Sequence, residues 1–503
     1  MQRLEDLIQH HPDTANAIGA PGRDWMTYGD LKVLTLNVRQ ALRAAGISAQ
    51  DRVAIVLPNG PEMAAAFVTV AQSTTTAPLN LAYKEDEFAF YLKDLKAKAI
   101  IVETGYDGPA RSVAKRFDMI VIELTATDPA GSFTLSTTAT GNAADTLPAS
   151  DDVALILHTS GTTSRPKIVP LLQSNVAASA QNVMASLALT SDDCCLNVMP
   201  LFHIHGLIAA VSGSLAAGAS ISCAPGFDAL KFYGWLEEVD PSWYTAVPTM
   251  HQAILARAPR NAEIIKNARL RFLRSSSSSL PGPVMTELAE TFGAPVVEAY
   301  GMTEAAHQMC CNPIEPGRQK PGAVGLPAGP VVRIAHEIEN RLIDGVGEIS
   351  ISGLNVTPGY EANPEANKKN FFEADGKRWF RTGDQGKFDE DGFLSLTGRL
   401  KEIINRGGEK ISPLEVDGIL SDHPAVGQCV TFAVPHAKLG EDVGAAVVLK
   451  EGQSATDREI RDFASQRLAA FKVPRKILIL DEIPKGATGK LQRIGLAEKL
   501  GLG

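Results

Sequence analysis

VALILHTSGTTSRPK, residues 153–167, is the stretch from which the fold and the working end of this chain are read. Its unbroken apolar start reads as a buried strand. The strand gives way to a turn rich in hydroxyls, carrying Gly161 and ending on Lys167. The loop therefore leaves the C-terminal end of a strand, where α/β proteins place their ligands. Backbone amides, the hydroxyls of Thr159, Ser160, Thr162 and Thr163, and the ammonium of Lys167 suit phosphate oxygens. This is not a P-loop. That motif needs Gly-Lys-Ser/Thr after four intervening residues, and the chain offers Pro166, Lys167 and Ile168 there.

On either side, strand and helix signals alternate. Thr27 with Asp30 resembles a capping box, opening a helix that Gly46 closes. RVAIVLP (52–58), KAIIVE (98–103) and DMIVIEL (118–124) read as buried strands, with a helix from about Pro61. Such alternation implies parallel sheets and an α/β class. Residues 125–150, rich in Thr, Ala and Ser without an apolar period, read as a surface connection. Past the mixed charge and glycine of TGRLKEIINRGGEK, the runs VGQCVTFAVP, GAAVVLK and KILILDEIP read as strands of a small α+β unit. The expected organisation is a large multi-sheet N-terminal domain over 1–398, a hinge at 399–402 and a small C-terminal domain over 403–503.

With 503 residues the chain is too long for one core. A hydrophobic share of 45%, a charged share of 21% and a net charge of -9 suit a soluble enzyme. They argue against nucleic acid or an anionic membrane as partner. An anionic ligand must then be held by local donors. Residues 194–227 lack Lys, Arg, Asp and Glu, but proline, glycine and two histidines break them. They read as core, not as a membrane span. The N-terminus carries acids and no apolar h-region, and Gly-Leu-Gly at the other end is no peroxisomal address. Six cysteines show neither C-x-x-C spacing nor a disulfide framework. Reduced thiols in the cytoplasm are the expectation.

Four more motifs follow the loop in order: EAYGMTE (298–304), RTGD (381–384), TGRLKE (397–402) and PKGATGK (484–490). Together with TSGTTSRPK they resemble the adenylate-forming superfamily of acyl-CoA synthetases, luciferases and peptide-synthetase adenylation domains, over nearly the whole chain. The resemblance implies a large N-terminal domain, a mobile C-terminal domain swinging at the residue matching Lys401, and ATP, Mg²⁺ and CoA as partners in a two-step reaction. It places the nucleotide among Thr159, Ser160, Gly161, Thr162, Thr163, Lys167, Glu298, Ala299, Tyr300, Gly301, Thr303, Asp384 and Arg399. Gly408, in RGGEK, falls on the face that guides pantetheine. Lys490 matches the lysine that bridges the attacking carboxylate and the α-phosphate.

The chemistry agrees with these places. Making an acyl-adenylate needs cations and a metal more than a nucleophilic side chain. Lys167 suits the leaving pyrophosphate. Glu304, with Thr162, offers the oxygen ligands that Mg²⁺ prefers. Asp384 can accept from ribose hydroxyls. Tyr300 offers a ring to the adenine, and Arg399 adds a donor to the ribose or phosphate. Ser164 and Ile168 depart from the glycines that many relatives carry.

RSSSSSL, 274–280, aligns with a stretch where many relatives use glycine and alanine to make room for an apolar acyl group. Serines there, with His203 in PLFHIHGL and His307 in TEAAHQM, fit a substrate with a second carboxylate. LHTSGTTSRPK, WYTAVPTMHQ, NRGGEKISPLEVD and LAAFKVP closely resemble oxalate-CoA ligases. In that subgroup the second carboxylate is held by residues falling on His203, Ser277 and His307. Malonate-CoA ligases carry arginine before the motif tyrosine, where this chain has Ala299. Another small acid is the alternative substrate, and loading of a carrier protein the alternative class. No carrier domain follows, and Glu304 and Lys490, which a catalytically dead relative would lack, are both present.

Overall fold

The computed structural model describes residues 2–159, 166–484 and 491–503. Ser160, Gly161, Thr162, Thr163 and Lys490 lie outside the described residues.

The opening strand, Val153–Thr159, belongs to a seven-stranded sheet. The sheet runs Phe133–Ser136, Ile120–Ala126, Ala99–Glu103, Arg52–Val56, Thr75–Pro78, Val153–Thr159, Lys167–Leu172. From Ile120–Ala126 to Val153–Thr159 the pairing is parallel. Strands buried on both faces explain why Arg52–Val56 and Ala99–Glu103 read as continuous apolar runs. The helix Tyr28–Ala44 opens on Thr27, whose side chain accepts from Asp30 N while Asp30 accepts from Thr27 N. That reciprocal cap is worth about 1 kcal/mol.

One expectation changes. Part of the presumed connection, Phe133–Ser136, is an edge strand antiparallel to Ile120–Ala126. Phe133 points into the core while Thr134 and Ser136 face out. Two apolar residues in a Thr- and Ser-rich stretch are too few to show that alternation in sequence.

A nine-stranded sheet holds the substrate side. At its centre Ser220–Cys223, Cys194–Asn197, Trp243–Ala246, Phe272–Ser275 and Val296–Met302 run parallel. It turns antiparallel where Val296–Met302 meets His307–Cys311. The uncharged region from Cys194 supplies two of these strands and the buried helical segments His205–Ser212 and Gly213–Ala216. Among the described residues no helix is long and apolar enough to cross a membrane.

A six-stranded antiparallel sheet contains Lys377–Phe388 and Leu394–Arg399, which set Asp384 opposite Arg399. After it, Glu409–Ile411, Ile404–Arg406, Gly440–Leu449, Val426–His436 and Lys476–Ile479 form a five-stranded sheet. Its core draws on Ile404, Ile411, Val416, Val443 and Ile460.

Candidate active site

Trp243–Ala246, Phe272–Ser275 and Val296–Met302 are parallel, so their C-terminal ends open on one side. The register sets Ser275 between Ala246 and Glu298. The serine run leaves there, and it is no free linker. Ser275 and Ser276 are buried, and Ser276 Oγ donates to Ala299 O at 2.8 Å. Ser277, Ser278 and Ser279 are exposed, and the run is tied again where Leu280 N donates to Glu298 Oε1 at 2.9 Å.

Glu298 is thereby placed beneath the serine loop. It is 2% exposed, and burial pushes its carboxyl up to about 8, against the Leu280 bond. At pH 7 it is a neutral acid clamping the loop to the strand. A raised acid pKa means stability is fully present below the unfolded value, near 4.5, and is lost as pH climbs to about 8. The wild type should lose up to about 1.4 kcal/mol per pH unit in that window. Glu298→Gln keeps the acceptor for Leu280 N and removes the titration. Thermal unfolding from pH 5 to 9 should show a flatter profile for the variant; a slope equal to wild type would contradict a neutral Glu298.

Beyond the serines stand two imidazoles on one buried arginine. Arg274, fully buried, reaches His205 Nε2 with Nη1 at 3.1 Å and His307 Nε2 with Nη2 at 2.9 Å. Nη2 also donates to Gln308 Oε1 at 3.2 Å. The two rings stack, centroids 5.2 Å apart and 14° from parallel. His205 Nδ1 meets Ser277 Oγ at 2.9 Å, and its Nε2 meets Thr245 Oγ1 at 2.6 Å. Burial, with Arg274 adding to it, holds His307 well below the ordinary histidine pKa, so its ring is neutral.

Ser277, Ala306 and His307 all have positive φ, at 72°, 46° and 95°. Three such residues in one cluster mark backbone held by its surroundings. Gly301 makes this possible, since a Cβ there would come within 1.8 Å of His307 O. Ala299, the position before the motif tyrosine, is buried on the same strand.

Ser277 and His307 are linked through His205, which bonds Ser277 and stacks on His307. His203 is half-buried, its ring 5.5 Å from that of Phe202. Sequence reasoning missed His205 and Arg274. The signals were present: a second histidine in FHIHG, and a lone cation ending the apolar strand before the serines.

The nucleotide side adjoins through the strand Val296–Met302. Tyr300 is buried, and its hydroxyl donates to Asp384 Oδ2 at 2.5 Å. Arg399 Nε lies 3.4 Å from the other oxygen. Burial raises the Asp384 carboxyl, against the pull of Arg399 and Tyr300. Tyr300 therefore serves Asp384 through its hydroxyl whatever its ring stacks on.

Thr303 and Glu304 sit on the short turn Thr303–Ala305. Tyr360 donates to Glu304 Oε1 at 2.7 Å, and Lys167 Nζ stands 4.2 Å above the Tyr360 ring. Burial raises Glu304, opposed by Tyr360 and Lys167. Lys167 is lowered by burial and by the charges of Lys401 and Lys369, with Glu304 opposing. Thr159 pairs with Lys167 across the hairpin. Tyr360 was also missed, for want of any motif around it.

In the C-terminal sheet Gly408 has φ 98° and donates to Asn405 Oδ1 at 3.1 Å, closing the turn between Ile404–Arg406 and Glu409–Ile411. Arg493 pairs with Asp417 and, at 3.9 Å, with Glu402. All six cysteines are buried free thiols. Among the described residues no group of three His, Cys, Asp or Glu could hold a metal.

Asp384 held between Tyr300 and Arg399, and Glu304 buried beside Tyr360 and Lys167, stand on the motifs that mark an adenylate-forming enzyme of the acyl-CoA synthetase type. Residues 4–361 match the AMP-binding enzyme family and residues 415–490 its C-terminal domain. The chain belongs to the AMP-binding enzyme family. It is 44% identical over 500 residues to an oxalate-CoA ligase of Arabidopsis thaliana, covering 97% of this chain and 96% of that protein. An oxalate-CoA ligase of Saccharomyces cerevisiae is 43% identical, covering 93% and 90%. Among solved structures, ATP-bound MatB from Rhodopseudomonas palustris superposes with a TM-score of 0.87 at 28% identity, covering 99% of this chain and 98% of that one.

Proposed function

We propose that this enzyme joins oxalate to CoA, forming oxalyl-AMP from ATP with release of pyrophosphate and then oxalyl-CoA with release of AMP. The observation that carries the reading is the acid site: Ser277, His205 and His307 on Arg274, where a ligase for apolar acids needs open apolar space. Oxalate has no apolar surface, so burial of hydrocarbon cannot supply its affinity. Charge-assisted hydrogen bonds to its distal carboxylate must do so. Relatives named for oxalate, 43–44% identical over nearly the full chain, support the same substrate.

In this reading Asp384 accepts from the ribose, Tyr300 orients Asp384, and Arg399 yields part of its loose contact to the nucleotide. Lys167 takes the charge of the departing pyrophosphate. Glu304 fits a Mg²⁺ ion, being a buried carboxylate whose described partners are one hydroxyl and one lysine charge at a distance. With Thr162 it would hold the metal, which when bound neutralises phosphate charge. Lys490 bridges the attacking carboxylate and the α-phosphate. In the second step Gly408 lets backbone approach pantetheine. His203 is the third contact to the distal carboxylate. A cytoplasmic location fits the free thiols.

Pyrophosphate release with a panel of small acids, with and without CoA, tests the substrate. Oxalate should lead and acetate should be poor; a wild type preferring malonate or a medium-chain acid would refute the oxalate reading and leave the ligase reading standing. His307→Ala removes one donor from a buried carboxylate, a loss of about 2 kcal/mol or more. Oxalate turnover should fall at least tenfold with the KM for ATP nearly unchanged. Acetate turnover, lacking the second carboxylate, should change little. An equal loss with both acids would place His307 in the general scaffold.

A further inference from the structure

We infer that Arg274 is a positioning residue for acid specificity: it holds His205 and His307 as Nδ1-protonated neutral rings, so that His307 and, through His205, the Ser277 hydroxyl are turned as donors to the distal carboxylate. This rests on the acid site proposed above. A guanidinium has donors and no acceptor and does not deprotonate. The ring nitrogen it faces must therefore carry a lone pair. On His307 that nitrogen is Nε2, at 2.9 Å from Nη2. On His205 it is again Nε2, at 3.1 Å from Nη1. The Thr245 hydroxyl accepts from the same Nη1 at 3.4 Å and, 2.6 Å from the same Nε2, can share its lone pair as a second donor. A neutral imidazole with its lone pair at Nε2 has its proton at Nδ1.

The consequence passes outward. His205 Nδ1–H donates to Ser277 Oγ, so the Ser277 hydroxyl proton is turned away from the ring. Ser277 is exposed at the opening of the strand ends. His307 Nδ1–H has no acceptor among the described hydrogen bonds, and it lies where the missing side chain of Gly301 leaves room. Two donors are thus presented with no imidazole lone pair beside them, a set that suits a carboxylate. The opposite tautomers would set N–H against N–H at both contacts.

Arg274 also supplies charge. It is fully buried, and among the described residues it faces the thiols of Cys311 and Cys195 but no ion-paired carboxylate. Its Nε has no hydrogen-bond partner among the described residues. A buried cation without a counter-charge is unfavourable, and a dianionic acid seated beyond the imidazoles relieves it while a monocarboxylate relieves it less. The positive φ of Ser277 and His307 shows that the fold holds both donors in place against local backbone preference. Burial and the neighbouring guanidinium keep His307 neutral, as the tautomer argument needs.

The test is the nitrogen spectrum of full-length wild type labelled with ¹⁵N-histidine, free of ligand at neutral pH, with His205→Asn and His307→Asn used to assign the two rings. Both should show the pattern of a neutral ring protonated at Nδ1. A ring protonated at Nε2, or an imidazolium, at either position overturns the inference. Arg274→Met and Arg274→Lys supply the kinetic arm. Arg274→Met should raise the KM for oxalate at least thirtyfold, leave the KM for ATP within twofold and mix the His307 tautomers; Arg274→Lys should recover part of the oxalate affinity. An unchanged oxalate KM in Arg274→Met also overturns it. Should that variant fail to fold, the wild-type spectrum decides alone. If wild type does not activate oxalate, the substrate reading fails separately, because the tautomers are read without any acid.

Discussion

Lys490→Ala is expected to lower oxalate-dependent ATP–pyrophosphate exchange 10²- to 10³-fold, about 2.7–4 kcal/mol, while thioester formation from supplied oxalyl-AMP stays within a few-fold of wild type. When a carboxylate meets the α-phosphate, two anions approach and negative charge grows on the bridging atoms. A cation placed between them acts on the transition state more than on the bound substrates, so its removal falls on kcat. In the proposed site Lys167 and Glu304 serve the pyrophosphate side and would not take its place. The chain on the far side of Lys490 is anchored: Arg493, three residues on, pairs with Asp417 on the helix Pro413–Ser421 and with Glu402 beside the hinge. That anchorage ties the segment that follows residue 490 to the C-terminal unit. Once the adenylate exists, the thiol attack no longer needs the bridge. Exchange that stays within a few-fold of wild type in Lys490→Ala would remove this residue from the first step.

How far such roles are legible before the structure depends on how local the information is. The buried parallel strands read correctly because both faces are covered and the apolar run is unbroken, as in Arg52–Val56. Phe133–Ser136 escaped because a half-exposed edge strand of four residues has no period to see. In the site, Asp384, Tyr300 and Glu304 sit in motifs, and the structure joins Tyr300 to Asp384. The serine run was legible as more than a linker, because a strand precedes it, and the structure ties it at Ser276 and Leu280. Arg274, His205 and Tyr360 were not legible. Their roles come from contacts across 69, 33 and 56 positions of chain, to His205, His307 and Glu304. Composition says nothing about which of two histidines in FHIHG turns to the serines; a π-helical segment starting at His205 decides it.

Lys401→Pro is expected to leave oxalate-dependent exchange within a few-fold of wild type and to reduce oxalyl-CoA formation at least a hundredfold. Lys401 lies between the last strand of the six-stranded sheet, Leu394–Arg399, and the first of the C-terminal sheet, Ile404–Arg406. The turn is tied on both sides of it. Leu400 N donates to Gly383 O at 2.9 Å, and Glu402 N and Ile403 N donate to Arg399 O at 2.8 and 3.0 Å. Rotation of the C-terminal sheet must therefore be absorbed by very few backbone dihedrals, those of Lys401 among them. Proline fixes φ near -65° and restricts the residue before it, so one orientation is kept and the other is lost. The charge goes too, and Lys167 feels it. Lys401→Ala, which removes charge and leaves φ free, separates the two effects. If the alanine variant loses thioester formation as fully as the proline variant, the side chain is the cause. If proline stops both half-reactions equally, the swing is not at Lys401. The expected pattern, exchange kept and thioester lost with proline alone, requires one chain to present Lys490 for the first step and the Gly408 face for the second.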